Sequence, residues 1–418
     1  MYQFRIRGKN RIVGELRIGG AKNAVLPMLA ATCLNESEIN NCPPIADTLE
    51  SVKILESIGC KVEFKGTTLK VDSSGPLSPD IPDESVGKMR SSILFMGAML
   101  GRCGKVNIAL PGGCKLGTRA IDLHIYGLQK MGAKICLQND KLYCEAGELK
   151  GAVIHLHTPS VGATQNLMLA AVKATGETVI QNAAREPEII DLANFLSGMG
   201  AKIRGAGTGT VTINGVKKLR RGKPYSVMPD RIVAGTYLTA AAITGGLVTL
   251  HGVRPRDLAP VTDALTKMGC AIHCGKNCIT LAGPPRLKAL PHLVTEVHPG
   301  FPTDMQAQFV AALAVAQGTS TVTETIFESR HAHADELNRM GAGINVSADS
   351  RTFTIHGKNG LHGTTVEAKD LRGGAALILA GLAAEGETVV LGAEYVQRGY
   401  ANIEKDLAGL GADIVLEG

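Results

Sequence analysis

QKMGAKICL occupies Gln129–Leu137. A long apolar residue, Met131, is followed by Gly132, a small residue, and a run that reads as a strand. Upstream, AIDLHIYGLQKM carries Ile121, Ile125 and Leu128 at helical spacing. The stretch therefore reads as an amphipathic helix, a glycine cap and a strand. The pattern recurs as ESIGCKVEF, SGMGAKIRG, TKMGCAIHC, NRMGAGINV and AGLGADIVL. The six glycines are Gly59, Gly132, Gly200, Gly269, Gly341 and Gly411, spaced 73, 68, 69, 72 and 70 residues apart. Six recurrences at a nearly fixed period mark an internal repeat.

Each repeat also holds a helix of small apolar residues: NAVLPMLAATCL, SSILFMGAML, ATQNLMLAAVKA, AGTYLTAAAI, MQAQFVAALAVA and GGAALILAGLAA. These are apolar on all sides, so burial is expected. Strands such as TVIQN, LVTLHG and TVVLG follow, then the amphipathic helix, then one or two strands. In AKICLQNDKLYCEA the pair Asn139-Asp140 reads as a hairpin turn. The fold class is α/β, built from βαβαββ units. Six units divide as three and three. Residues 22–229 are expected to form one domain with units one to three. Residues 1–21 with 230–418 form the other, the N-terminal segment completing its last sheet and the active site lying in the cleft between the domains.

Of the 418 residues, 44% are apolar and 20% charged, enough for a sizeable core. A net charge of +6 spread along the chain, with 4% aromatic residues, fits a small anionic ligand and disfavours nucleic acid. The first residues, MYQFRIRGKN, contain no apolar signal segment, and Ala375 to Ala384 is too short to span a bilayer. The ten cysteines are read as reduced thiols of a cytoplasmic protein, without membrane attachment and acting as a monomer.

The buried helices begin at equivalent positions: Lys22-Asn23, Arg90, Ser160-Val161-Gly162, Asp230-Arg231, Asp304 and Asp370 to Arg372. Free N–H groups and partial positive charge make helix starts anion sites, while Asp and Ser there also serve as ordinary caps. Basic residues oppose the helix dipole, so Lys22, Arg90 and Arg372 call for a compensating anion. Arginines also precede the second helix of most units: Arg119, Arg185, Arg256, Arg330 and Arg398. Cys114 lies in PGGCKLGTRAIDLH, a loop-like stretch where neighbouring Lys115 and Arg119 favour a reactive thiolate.

GGAKNA (Gly19–Ala24), LPGGCKLGTRAIDLH, PSVGAT (Pro159–Thr164), PDRIVAGT (Pro229–Thr236), FPTDMQAQ (Phe301–Gln308), DLRGGAAL (Asp370–Leu377) and RGY (Arg398–Tyr400) resemble, in order, the UDP-N-acetylglucosamine enolpyruvyl transferases. The resemblance covers the whole chain. It implies an inside-out α/β barrel in each of two domains. It also implies transfer of the enolpyruvyl group of phosphoenolpyruvate to the 3′-hydroxyl of UDP-N-acetylglucosamine, in peptidoglycan synthesis, without a cofactor or metal. By the same resemblance Cys114 is the general acid and the residue alkylated by fosfomycin, and Asp304 is the proposed base. Lys22, Arg119 and Arg398 hold phosphoenolpyruvate, with Arg90 and Arg372 nearby. Asn23, Arg119, Ala120, Ile121, Asp122, Leu123, Ser160, Val161, Gly162 and Ile326 contact the UDP-sugar, and Asp370 is a second carboxylate near the reacting atoms.

Ala120 replaces a frequent proline, Val233 a frequent acidic residue, and His331-Ala332 a more usual apolar pair. A sister enzyme acting on shikimate 3-phosphate lacks the loop cysteine and usually has a lysine-serine pair where this chain has Lys22-Asn23. A catalytically silent UDP-sugar-binding paralogue is the other alternative, disfavoured by the presence of Cys114, Asp304 and the basic set. CAIHCGKNC (Cys270–Cys278) has C-x3-C-x3-C spacing at a strand-turn-strand, unlike zinc sites. HLH (His155–His157) and HAH (His331–His333) read as surface or packing residues.

Overall fold

A computed structural model describes residues 2–112 and 121–418. All six repeat glycines are helix stops. Their φ angles are 105°, 93°, 96°, 98°, 89° and 96°, a region open to glycine and strained for other residues. The hydrogen bonds around them also repeat. Gly132 N–H donates to Gln129 O and Ala133 N–H to Leu128 O, and the other five glycines make the equivalent pair of bonds. This is the Schellman closure, which satisfies carbonyls the ended helix leaves open. Asn139 and Asp140 form a tight hairpin turn with φ of 50° and 58°.

The chain divides into two compact units, one comprising the described residues up to Gly19 with Pro229–Gly418, the other the described residues between. Each unit has its own apolar core. Each also has three sheets of one design: a parallel pair extended by two antiparallel strands. In the first unit Val13–Arg17 runs parallel to Leu247–His251, which pairs with Cys278–Ala282 and then Ala271–Cys274. His292–Val294, Thr319–Thr323, Thr352–His356 and Ile344–Val346 repeat this. In the third sheet Gln3–Arg7 lies between Glu387–Leu391 and Asp413–Glu417, with Thr365–Glu367 as the parallel edge.

The second unit repeats the arrangement. Tyr225–Ser226 supplies the parallel edge to Ser37–Asn40, as Val13–Arg17 does in the first unit. Val153–His155 does so for Glu177–Gln181. In the sheet of Lys105–Ala109, Lys141–Glu145 and Lys134–Gln138, the parallel edge shrinks to a single bridge, Asp80 to Asn107.

The apolar helices are buried as their composition requires: all thirteen residues of Leu371–Ala383 and all nine of Gln306–Ala314 are buried. Missing side chains set how closely they approach. A Cβ on Gly97, in the helix Leu94–Cys103, would lie 2.2 Å from the Asn166 carbonyl oxygen of the helix Val161–Ala171. Only glycine permits that contact.

Candidate active site

In the unit between Gly20 and Met228, Lys22 is the first residue of the helix Lys22–Ala31. Its ammonium lies 2.8 Å from Asp47, with side-chain exposures of 12% and 5%. The countercharge that the sequence argument sought in a bound anion is thus met here by a carboxylate of the next helix. Pro27 has no N–H to give the Asn23 carbonyl four residues back. Gln165 Nε2 donates to that carbonyl instead, at 3.4 Å.

Arg90 opens a 3₁₀ turn, Arg90–Ile93, ahead of the buried helix. Burial lowers its pKa, and among the described residues it has no carboxylate partner. Ile121 precedes the helix Asp122–Lys130, Asp122 begins it, and Leu123 is buried. Ser160 caps the helix Val161–Ala171, its hydroxyl accepting from Ala163 N–H at 3.3 Å. Cys114, Arg119 and Ala120 lie outside the described residues.

In the other unit Asp304 sits in the one-turn helix Thr303–Met305. Arg330 Nη1 donates to its Oδ1 at 3.1 Å and Arg372 Nη2 to its Oδ2 at 2.8 Å. The arginine side chains are 4% and 5% exposed, and Asp304 is 22% exposed. Withdrawal from water by itself raises the Asp304 pKa. Attraction to Arg372, then to Arg330, outweighs that and holds the carboxylate well below the usual range. A carboxylate so held is an anchor and hydrogen-bond acceptor first, and only a weak resting base.

Neighbouring groups fix both arginines. Arg330 Nη1 also donates to Thr303 O at 2.6 Å, and its guanidinium lies 4.5 Å over the Phe327 ring. Tyr400, within electrostatic reach of Arg372, shares a 2.8 Å hydrogen bond with Thr236, to which Gln308 donates at 3.2 Å. Asp370 is the N-cap of Leu371–Ala383: its Oδ1 accepts from Arg372 N–H and Gly373 N–H, both at 2.9 Å. Asp230 caps Arg231–Ile243 in the same way. Ile326 is exposed, and its N–H donates to Glu324 at 2.8 Å. Arg398 is half-buried at the end of the short helix Ala393–Gln397.

Sequence reasoning missed the roles of Asp47, Arg330 and Tyr400. In the sequence Arg330 reads only as a residue preceding a second helix. Arg330 and Arg372 stand 26 and 68 residues beyond Asp304 along the chain, so no local spacing announces the trio. Among the described residues no three His, Cys, Asp or Glu side chains gather as ligands for a metal ion. His333 is a packing residue, 2% exposed and stacked 5.6 Å from Phe353.

The profile of the EPSP synthase family (3-phosphoshikimate 1-carboxyvinyltransferase) matches residues 6–407. The chain belongs to this enolpyruvyl transferase family. Among relatives of this transferase, UDP-N-acetylglucosamine 1-carboxyvinyltransferase 2 of Caldanaerobacter subterraneus subsp. tengcongensis is 50% identical over 417 residues, 99% of each chain. UDP-N-acetylglucosamine 1-carboxyvinyltransferase 1 of Symbiobacterium thermophilum is 48% identical, covering 99% of this chain and 94% of its own. In structure, the enolpyruvyl transferase NikO of Streptomyces tendae superposes with a TM-score of 0.88 at 26% identity, over 99% of this chain and 98% of its own. EPSP synthase of Acinetobacter baumannii shares the fold, with a TM-score of 0.74 at 19% identity over the whole of both chains.

Proposed function

We propose that this transferase moves the enolpyruvyl group of phosphoenolpyruvate to the 3′-hydroxyl of UDP-N-acetylglucosamine and releases inorganic phosphate, a step of peptidoglycan synthesis. The observation that carries the reading is identity near 50% along 99% of the chain to two transferases named for that acceptor. The shikimate 3-phosphate alternative has beside it the name of the family profile and a fold-level likeness at 19% identity.

The chemistry is addition followed by elimination. The sugar oxygen bonds to C2 of phosphoenolpyruvate while C3 takes a proton and the hydroxyl gives one up. In the second half a C3 proton leaves and the C2–O bond to phosphate breaks. Cys114 is proposed as the acid for C3. Lys22, Arg119 and Arg398 carry the phosphate and carboxylate of phosphoenolpyruvate, with Arg90 and Arg372 in support. Asn23, the 119–123 and 160–162 segments and Ile326 bear on the UDP-sugar, and Asp370 is a second carboxylate near the reacting atoms.

Asp304 takes a qualified role. Held by Arg330 and Arg372, it first orients the 3′-hydroxyl as an acceptor. It receives the proton only as the new C–O bond makes that hydroxyl strongly acidic. Phosphate release measured with UDP-N-acetylglucosamine, and separately with shikimate 3-phosphate, tests the assignment. Release with the UDP-sugar alone is expected; release only with shikimate 3-phosphate, or with neither acceptor, rejects it.

A further inference from the structure

We infer that the unit between Gly20 and Met228 carries a basic face for reversible docking on an anionic membrane surface, centred on residues 217–223 at the far ends of the helices that begin beside its candidate site residues.

The charge is concentrated rather than spread. Residues 192–229 contain seven Lys and Arg and no Asp or Glu, out of 44 and 38 in the chain. The other 380 residues therefore hold 37 cations against 38 anions, so the net charge of +6 arises in this one stretch. Five of the seven cations, Lys217, Lys218, Arg220, Arg221 and Lys223, fall within seven residues. All seven are exposed. Among the described residues only Arg221 has an ion-pair partner, Glu36 at 2.8 Å.

Backbone bonds set this run across one end of the unit. Val216 N–H donates to Val172 O at 2.9 Å, Asn35 Nδ2 to Leu219 O at 2.7 Å and Arg220 N–H to Met199 O at 2.9 Å. Val172, Asn35 and Met199 are the C-caps of Val161–Ala171, of the turn Thr32–Leu34 that ends Lys22–Ala31, and of Pro187–Gly198. Leu219 is 3% exposed, so the run is anchored by its one large apolar side chain while the charged ones stay outward. Lys173 Nζ donates to Lys217 O, and a Cβ on Gly101 would lie 3.4 Å from Lys173 Cβ, which joins Arg102 to the same face. Cations are favoured at helix C-termini, which accounts for Arg102 and Lys173. The 217–223 run goes beyond that, and its like charges repel unless external anions gather against them.

The form of the face selects the partner. Its large apolar residue points inward, so it lacks the apolar centre on which a folded protein docks. Tyr225 is the one aromatic residue among residues 196–229, too few for the stacking that holds single-stranded nucleic acid. Lipid headgroups need neither feature, and clusters of four to eight Lys and Arg attract them. No described helix is long and apolar enough to cross a membrane, so this attachment amends the expectation of none only to the extent of surface charge. Lys22, Arg90 and Ser160 lie at the opposite ends of helices of 10, 10 and 11 residues, about 15 Å away, so docking leaves them clear.

The test sediments the full chain with vesicles of phosphatidylcholine alone, or with about one-third phosphatidylglycerol, at about 0.1 M salt. The wild type is expected to pellet with the anionic vesicles only, and to be released at about 0.5 M salt, where screening is stronger. Lys217→Gln with Lys218→Gln and Lys223→Gln removes three cations and keeps the backbone bonds. Each is expected to weaken partitioning about fivefold, about a hundredfold together, with phosphate release in free solution within about twofold of the wild type. Lys267→Gln with Lys276→Gln and Lys405→Gln, at exposed sites of the other unit, is expected to bind as the wild type does. A wild type that ignores anionic vesicles, equal binding to both vesicle types, undiminished binding by the first variant, or an equal loss in both variants overturns the inference. So does binding of poly-glutamate or duplex DNA at the same salt without binding of vesicles, which assigns the face to an acidic protein or to nucleic acid.

Discussion

Asp304→Asn separates what the carboxylate does for the fold from what it does for the reaction. One carboxylate offsets two guanidiniums that are 4% and 5% exposed. The isosteric amide leaves a single acceptor oxygen for two cationic donors and removes the countercharge. Taking one partner from a buried ion pair costs about 3–5 kcal/mol, and solvent reaching Asp304 screens part of that, leaving ~2–3 kcal/mol. For a unit of roughly 200 residues this is a fall in Tm of about 4–12 °C. The sign with pH follows from the depressed Asp304 pKa. The folded value lies below the unfolded one near 4, so the stabilisation is fully present above about pH 5 and is lost only as the pH falls toward the folded value. Scanning calorimetry of both proteins should show a constant gap from about pH 6 to about pH 9 that narrows in acid. Phosphate release in the same samples should fall at least about a hundredfold. A variant as stable as the wild type at neutral pH would refute the claim that Arg330 and Arg372 depend on this carboxylate. Near wild-type turnover would remove Asp304 from the chemistry.

Two further changes probe other parts of the molecule. Cys114→Ser should abolish covalent labelling by fosfomycin in an intact-mass experiment, and labelling that persists on any other cysteine contradicts the assignment of Cys114. Gly97→Ala places a methyl 2.2 Å from a backbone oxygen and 2.4 Å from Asn166 Oδ1. Overpacking of about 1–3 kcal/mol, with loss of the Asn166 hydrogen bond, should exceed the ~1 kcal/mol that alanine gains in helix propensity. A Tm equal to or above that of the wild type would show that the two helices part without cost.

The sequence announces this fold because its punctuation is local. A glycine after a helix needs only its own φ and the two hydrogen bonds around it. The six stops therefore read directly, from Gly59 to Gly411. The Asn139-Asp140 turn is legible for the same reason. Buried helices are legible because a segment without a polar face has nothing to turn toward water. Charge pairing is not local. Lys22 finds Asp47 on the following helix, and Asp304 finds Arg330 and Arg372 on two later segments. Each choice depends on packing between helices, to which side-chain spacing along the chain is blind. Asp370 and Ser160 illustrate the converse: their residue types suit either a cap or a ligand contact, and the backbone hydrogen bonds show the cap.

The placement of Gln3–Arg7 between Glu387–Leu391 and Asp413–Glu417 has a bearing on how the protein is made. The strand Gln3–Arg7 must wait for partners synthesised much later along the chain. At about 5–20 residues per second the interval is roughly 20–80 s, during which this strand has neither neighbour. The unit between Gly20 and Met228 faces no such delay, since its three sheets close within its own span. Ribosome-bound chains halted shortly after Met228 should therefore protect that unit from proteolysis while leaving the first strands open to cleavage. The strand Gln3–Arg7 is the segment for which a holding chaperone matters most.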